Sequence, residues 1–71
     1  MKIMNVETSA GKRAQALIEQ IMNEITDGTI YAKVRDDGIC EIRVKFKEEN
    51  EFDKVLKNMK EVHDVRIVIV Q

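Results

Sequence analysis

The segment TIYAKVRDDGICEIRVKF, residues 29–46, alternates apolar and polar side chains on both sides of one glycine-bearing break. Strict alternation is the mark of a half-buried strand, so the segment predicts a β-hairpin. Its parity also fixes the register. Ile30, Ala32 and Val34 alternate with Tyr31, Lys33 and Arg35; Cys40, Ile42, Val44 and Phe46 alternate with Glu41, Arg43 and Lys45. A two-residue turn at Asp37 and Gly38 sets Val34 opposite Glu41, an inward residue beside an outward one. A three-residue loop, Asp36-Asp37-Gly38 with Gly38 in the left-handed region, instead pairs Val34 with Cys40, Ala32 with Ile42 and Ile30 with Val44. On the other face it sets Lys33 beside Glu41 and Tyr31 beside Arg43, each favourable by a few tenths to about 1 kcal/mol.

The flanking segments supply the remaining elements. MKIMNVE reads as a short strand with Met4 and Val6 on one face and Ile3 on the other. Ala14, Leu17, Ile18, Ile21, Met22 and Ile25 then draw one apolar stripe down a helix. Thr8 or Ser9 is expected to cap its start, and the TDG run ending at Gly28 to supply a positive φ at its finish. ENEFDKVLKNMKEV carries Phe52, Val55, Leu56, Met59 and Val62 at helical spacing, with Asn50 as expected N-cap and Asp53 in the capping-box position. After the HD break, VRIVIVQ closes as a strand that is apolar on both faces from Ile67 to Val70.

The order is therefore βαββαβ. With right-handed crossovers it gives an α+β, ferredoxin-like sandwich: a four-stranded antiparallel sheet, both helices on one face, the first and third strands central. The uncovered face is expected to expose Ile3, Tyr31, Ile39 and either Val68 and Val70 or their neighbours beside Lys33, Arg35, Arg43 and Lys45. Such a strip, with two bare sheet edges, favours association, as a homodimer or by docking to a neighbouring domain. The competing reading is a solvated sheet face with a few tolerated apolar residues.

Composition limits what the chain can do. At 71 residues it is a single domain near the lower end of what folds alone, burying roughly 60 % of its unfolded surface. A net charge of −1 gives no global pull towards nucleic acid or an anionic membrane. One cysteine, Cys40, makes no internal disulfide, and with no signal peptide or spanning apolar run a cytoplasmic location is expected.

Catalytic and cofactor motifs are not recognisable. AGKR lacks the first glycine and the hydroxyl of a phosphate-binding P-loop, Arg13 standing in the hydroxyl position, although free N–H groups at this helix start beside Lys12 and Arg13 suit a weakly held carboxylate or phosphate. Cys40 falls on the inward side of the hairpin and His63 is the only histidine, so neither thiolate nor imidazole metal sites are expected. Asp36 with Asp37, and Glu48 with Glu49, sit in a turn and at a helix start, where such residues serve geometry rather than acid–base work. RNA-binding domains of this order stack bases on central-strand aromatics, and the central strands here offer only the inward Phe46. No catalytic residue, metal or cofactor is therefore assigned.

The stretch DDGICEIRVKFKEENEFDKVLKNMKEVHDVRIVIV resembles the second half of an ACT domain: a D-G turn, an alternating strand, a helix of spaced aliphatic residues, a two-residue turn and V-x-x-V. Val55 or Leu56, Met59, Val62, Val65 and Val68 occupy the apolar places. Within that family the chain looks most like the C-terminal ACT domain of RelA/SpoT-type guanosine tetraphosphate synthetase/hydrolases (GTP pyrophosphokinases). The resemblance implies a single regulatory domain over 1–71, not an enzyme by itself, attached to a larger enzyme. It also implies a candidate amino-acid effector loop between first strand and first helix, at Thr8, Ser9, Gly11 and Lys12. Gly11 aligns with the family's loop glycine, Thr8 stands where Asp or Asn is usual, and Ser9 stands at the Arg position. The alternative is an effector-binding ACT domain controlling an amino-acid metabolic enzyme.

Overall fold

Six elements follow in the expected order in the computed structural model, which describes residues 2–70: β1 (Lys2–Ser9), α1 (Lys12–Glu24), β2 (Gly28–Val34), β3 (Ile39–Phe46), α2 (Glu49–Lys60) and β4 (Arg66–Val70). The sheet order is β2-β3-β1-β4, all neighbours antiparallel, with β1 and β3 central and the edges at β2 and β4. This is the ferredoxin-like arrangement. Met1 and Gln71, assigned from sequence to the first and last strands, lie outside the described residues.

The hairpin register is the one that parity demands: Val34 pairs with Cys40, Ala32 with Ile42 and Ile30 with Val44. The Gly38 amide donates to the Arg35 carbonyl at 3.1 Å and the Arg35 amide to the Ile39 carbonyl at 2.8 Å, closing the three-residue loop, with Gly38 at φ +82°. The core lies between sheet and helices. Met4, Val6, Ile42, Val44 and Phe46 face Leu17, Ile21, Phe52, Val55 and Met59, all buried. Full burial of each aliphatic or aromatic side chain contributes about 1.5–3 kcal/mol. Phe46 and Phe52 meet edge to face with centroids 5.3 Å apart, and Lys2 Nζ caps the Phe52 ring at 4.7 Å while pairing with Glu49 at 2.9 Å.

Four local expectations are corrected. The cap of α1 is Gly11, at φ +107° and without a side-chain bond, because β1 stays paired with β3 through Thr8 and Ser9 and commits both residues to the ladder. Helix α1 stops at Glu24 with Ile25 extended, so Gly28 ends no helix; it opens β2, where a Cβ would lie 2.5 Å from the Lys45 carbonyl oxygen. The cap of α2 is Glu48, again without a side-chain bond, and Asn50 lies inside the helix. Met22 leaves the core stripe and is 59 % exposed. The turn before β4 places Asp64 at φ +61°, a region aspartate tolerates better than most residues.

Candidate functional site

The pairing registers lay the uncovered face out as a grid. Across β2, β3, β1 and β4, one row reads Thr29, Lys45, Ile3, Val70; the next Tyr31, Arg43, Asn5, Val68; the third Lys33, Glu41, Glu7, Arg66; Ile39 and Ser9 begin a fourth. Of the five residues expected to form an apolar strip, Ile3, Val68 and Val70 gather at the β4 side. Tyr31 stands at the β2 edge among cations and Ile39 at the hairpin end. The strip is thus an apolar corner with two outliers.

Between them lies a shallow depression of about 470 Å³ lined by Asn5, Glu7, Tyr31, Lys33, Glu41, Arg43 and Lys45. Its charges are not paired as cross-strand neighbours suggest. Glu7 and Glu41, directly opposite on the two central strands, both turn to Arg35, whose Nη1 lies 3.6 and 3.8 Å from them. Arg35 also donates to both oxygens of Asp37, at 3.3 and 3.0 Å. That bond raises the Arg35 pKa. The Asp37 carboxyl, which accepts the Ile39 amide at 3.1 Å, is held below its ordinary value first by that amide and then by Arg35. Arg43 Nε donates to Asn5 Oδ1 at 3.0 Å, and Lys45 Nζ sits over the Tyr31 ring, 5.5 Å from its centroid. Among the described residues no carboxylate pairs with Lys33, Arg43 or Lys45.

The β1–α1 loop separates the residues expected there. Thr8 is 2 % exposed on the helix side of the sheet, opposite Cys40, and its Oγ1 has no hydrogen-bond partner among the described residues. Ser9, one residue on, belongs to the other face, and Gly11 and Lys12 are exposed at the helix start. Thr8 and Ser9 line a second depression with Arg35, Ile39, Asp64 and Val65; Gly11 and Lys12 do not. The Ala10 amide ties the loop to the hairpin by donating to the Gly38 carbonyl at 3.0 Å.

A third feature went unseen in the sequence. Ile18, Met22 and Ile25 stand across from Gly28, Ile30 and Ala32, lining an apolar groove of about 390 Å³ beside the free edge of β2. Val34, at the end of the same strand, is 61 % exposed. The signal was Met22, at the margin of the helical stripe, but only the position of β2 shows that no element among the described residues covers it. At the opposite edge Val68, Ile69 and Val70 are also exposed. Buried Cys40 and exposed His63 take no part in any metal-binding group, and no group of three or more His, Cys, Asp or Glu among the described residues is placed to hold a metal ion. No helix there is long and apolar enough to cross a membrane.

No family model and no curated protein matches the chain. Solved structures do. An uncharacterized protein of Thermotoga maritima superposes with a TM-score of 0.65 at 15 % identity, over 97 % of this chain and 91 % of that one. A protein of Thermus thermophilus, described provisionally as a PII-like signaling protein, gives 0.61 at 15 % identity, over 97 % and 86 %. An uncharacterized protein conserved in bacteria, from Eubacterium ventriosum, gives 0.56 at 18 % identity, over 99 % of both chains. At such identities the likeness is one of fold.

Proposed function

We propose that this chain is a non-catalytic regulatory module that works by pairing, in the manner of an ACT domain, and that residues 1–71 form one such unit attached to a larger cytoplasmic enzyme. A RelA/SpoT-type GTP pyrophosphokinase is the setting that the sequence resemblance suggests. The solved structures of like fold, one of them described as signaling, are compatible with a regulatory role.

The observation that carries the reading is the β2 edge. The Arg35 amide bonds to β3, and antiparallel alternation then turns the amides and carbonyls of Lys33, Tyr31 and Thr29 inward, leaving those of Val34, Ala32 and Ile30 facing outward. A second copy related by a two-fold axis through Ala32 meets these groups in register. It sets Ile30 beside Val34 of the copy on the helix side and Tyr31 beside Lys33 on the open face, opposes no like charges, and brings together the two exposed Met22 grooves. The result is an eight-stranded sheet with all helices on one side.

Sedimentation of the isolated chain tests this. A dimer is expected at high micromolar concentration, and Val34→Lys or Ala32→Pro, which spoil the outer edge without touching the β2–β3 ladder, are expected to sediment as folded monomers. A monomeric wild type sinks self-pairing.

A second reading, an amino-acid effector site at Thr8, Ser9, Gly11 and Lys12, is favoured by the buried, unpartnered Thr8 hydroxyl and the positive φ of Gly11 beside an uncapped helix start. Titration with the common amino acids, followed by amide NMR shifts, decides it. Resonances of residues 7–14 that stay still at millimolar ligand leave the loop a plain turn.

A further inference from the structure

We infer that the depression on the open face is a binding site for a small anion carrying a planar ring, of the nucleoside monophosphate class. The site lies apart from the β1–α1 loop, and two of its residues, Tyr31 and Lys33, also stand along the β2 edge proposed above to pair.

Three features converge on this chemistry. The first is uncompensated positive charge. Lys33, Arg43 and Lys45 line the depression without a carboxylate partner among the described residues, whereas its two acids, Glu7 and Glu41, are already engaged by Arg35 from the hairpin end. The second is preorganisation. Asn5, from the neighbouring central strand, holds Arg43 by its Nε, which fixes the guanidinium plane and leaves its terminal nitrogens available for a bidentate anion contact. The third is a stacking surface. Tyr31 is 54 % exposed, and the Lys45 ammonium over its ring directs cation and aromatic face to the same space.

Distance along the strand selects among ligands. Lys45 and Glu41 stand four residues apart on β3 with Arg43 midway, so Lys45 and Glu41, the latter beside Lys33, are separated along the strand by roughly 13 Å. An α-amino acid, whose carboxylate and ammonium share one carbon, does not bridge them. A nucleoside monophosphate places its phosphate at Lys45 and Arg43, its base against Tyr31, and an exocyclic amine within reach of the Glu41 carboxylate. The volume of the depression falls within the range of small-molecule sites.

Adenosine 5′-monophosphate is the probe. Titrated into the full chain at low salt, it is expected to shift the Tyr31 ring and Arg43 Nε–H resonances with saturation below about 1 mM. Adenosine, lacking the phosphate, and inosine 5′-monophosphate, lacking the amine, should both bind more weakly. Tyr31→Leu and Arg43→Gln, each at an exposed position, should retain the fold by circular dichroism and weaken binding by roughly tenfold or more. Lys33→Gln, farther from the phosphate end, should weaken it less. No shift at millimolar nucleotide, or shifts that persist undiminished in Tyr31→Leu and Arg43→Gln, overturns the assignment. Because Tyr31 and Lys33 also flank the proposed seam, sedimentation of the same variants reads dimerisation separately from nucleotide binding.

Discussion

Glu7 and Glu41 face each other directly across the two central strands, and a single Arg35 nitrogen stands 3.6 and 3.8 Å from their carboxylates. Like charges in that relationship repel, so the hairpin arginine is what makes the pair tolerable. Arg35→Gln is therefore expected to lower the melting temperature, and Glu41→Gln added to it should recover part of the loss, since one repelling charge is then gone. A double-mutant cycle by thermal unfolding measures the coupling; strict additivity would rule out the clamp.

The hairpin loop should also be acid-sensitive. Asp37 has a folded-state pKa depressed below its ordinary value by the Ile39 amide and Arg35. A depressed carboxylate contributes stability above its unfolded pKa and loses it as pH falls through the folded one. Asp37→Ala should thus be less stable than wild type at neutral pH, with the difference closing on acidification below the usual carboxylate range. Denaturation midpoints at a series of pH values check this.

Gly28 is held by contact rather than by conformation. A methyl group there meets the Lys45 carbonyl oxygen at 2.5 Å, and backbone on both sides resists moving. Gly28→Ala is expected to destabilise the fold by about 1–3 kcal/mol in urea titration.

How far these features could be read in advance depended on whether they were local. The hairpin register followed from residues 30–46 alone, because a period of two makes the two-residue turn set Val34 against Glu41 while the three-residue loop keeps inward with inward. The caps did not follow. Whether Thr8 caps α1 or extends β1 is decided by Cys40 lying opposite it on another strand, and whether Gly28 ends a helix or opens a strand is decided by Phe46, its partner on β3. The candidate site is a product of strand order in the same way. Tyr31 and Lys45 lie fourteen residues apart in sequence and meet only diagonally across β2 and β3. The chain alone names the charges on the open face without saying that Arg35 takes both acids and leaves Arg43 to Asn5.

Thr8 carries its own test. Its buried hydroxyl has no partner among the described residues, an arrangement that costs about 1–3 kcal/mol. Thr8→Val, nearly equal in shape, is expected to raise stability by about 1 kcal/mol in chemical denaturation. A loss instead would mean that the hydroxyl is satisfied by a bound group.

If β2 edges pair, folding and association are linked. The wild-type melting temperature should climb with protein concentration, while that of Met22→Glu, charged within the apolar groove, should not. Differential scanning calorimetry over a wide concentration range distinguishes the two.

Cys40 gives the molecule a built-in recorder. It is the chain's single thiol, and it sits sealed against the Thr8 strand beneath the helices. An alkylating reagent reaches it only when β3 is bared. Its labelling rate counts how often the central ladder comes apart, one covalent mark per opening, and a bound partner or nucleotide that slows that rate reveals itself without any need to know its name.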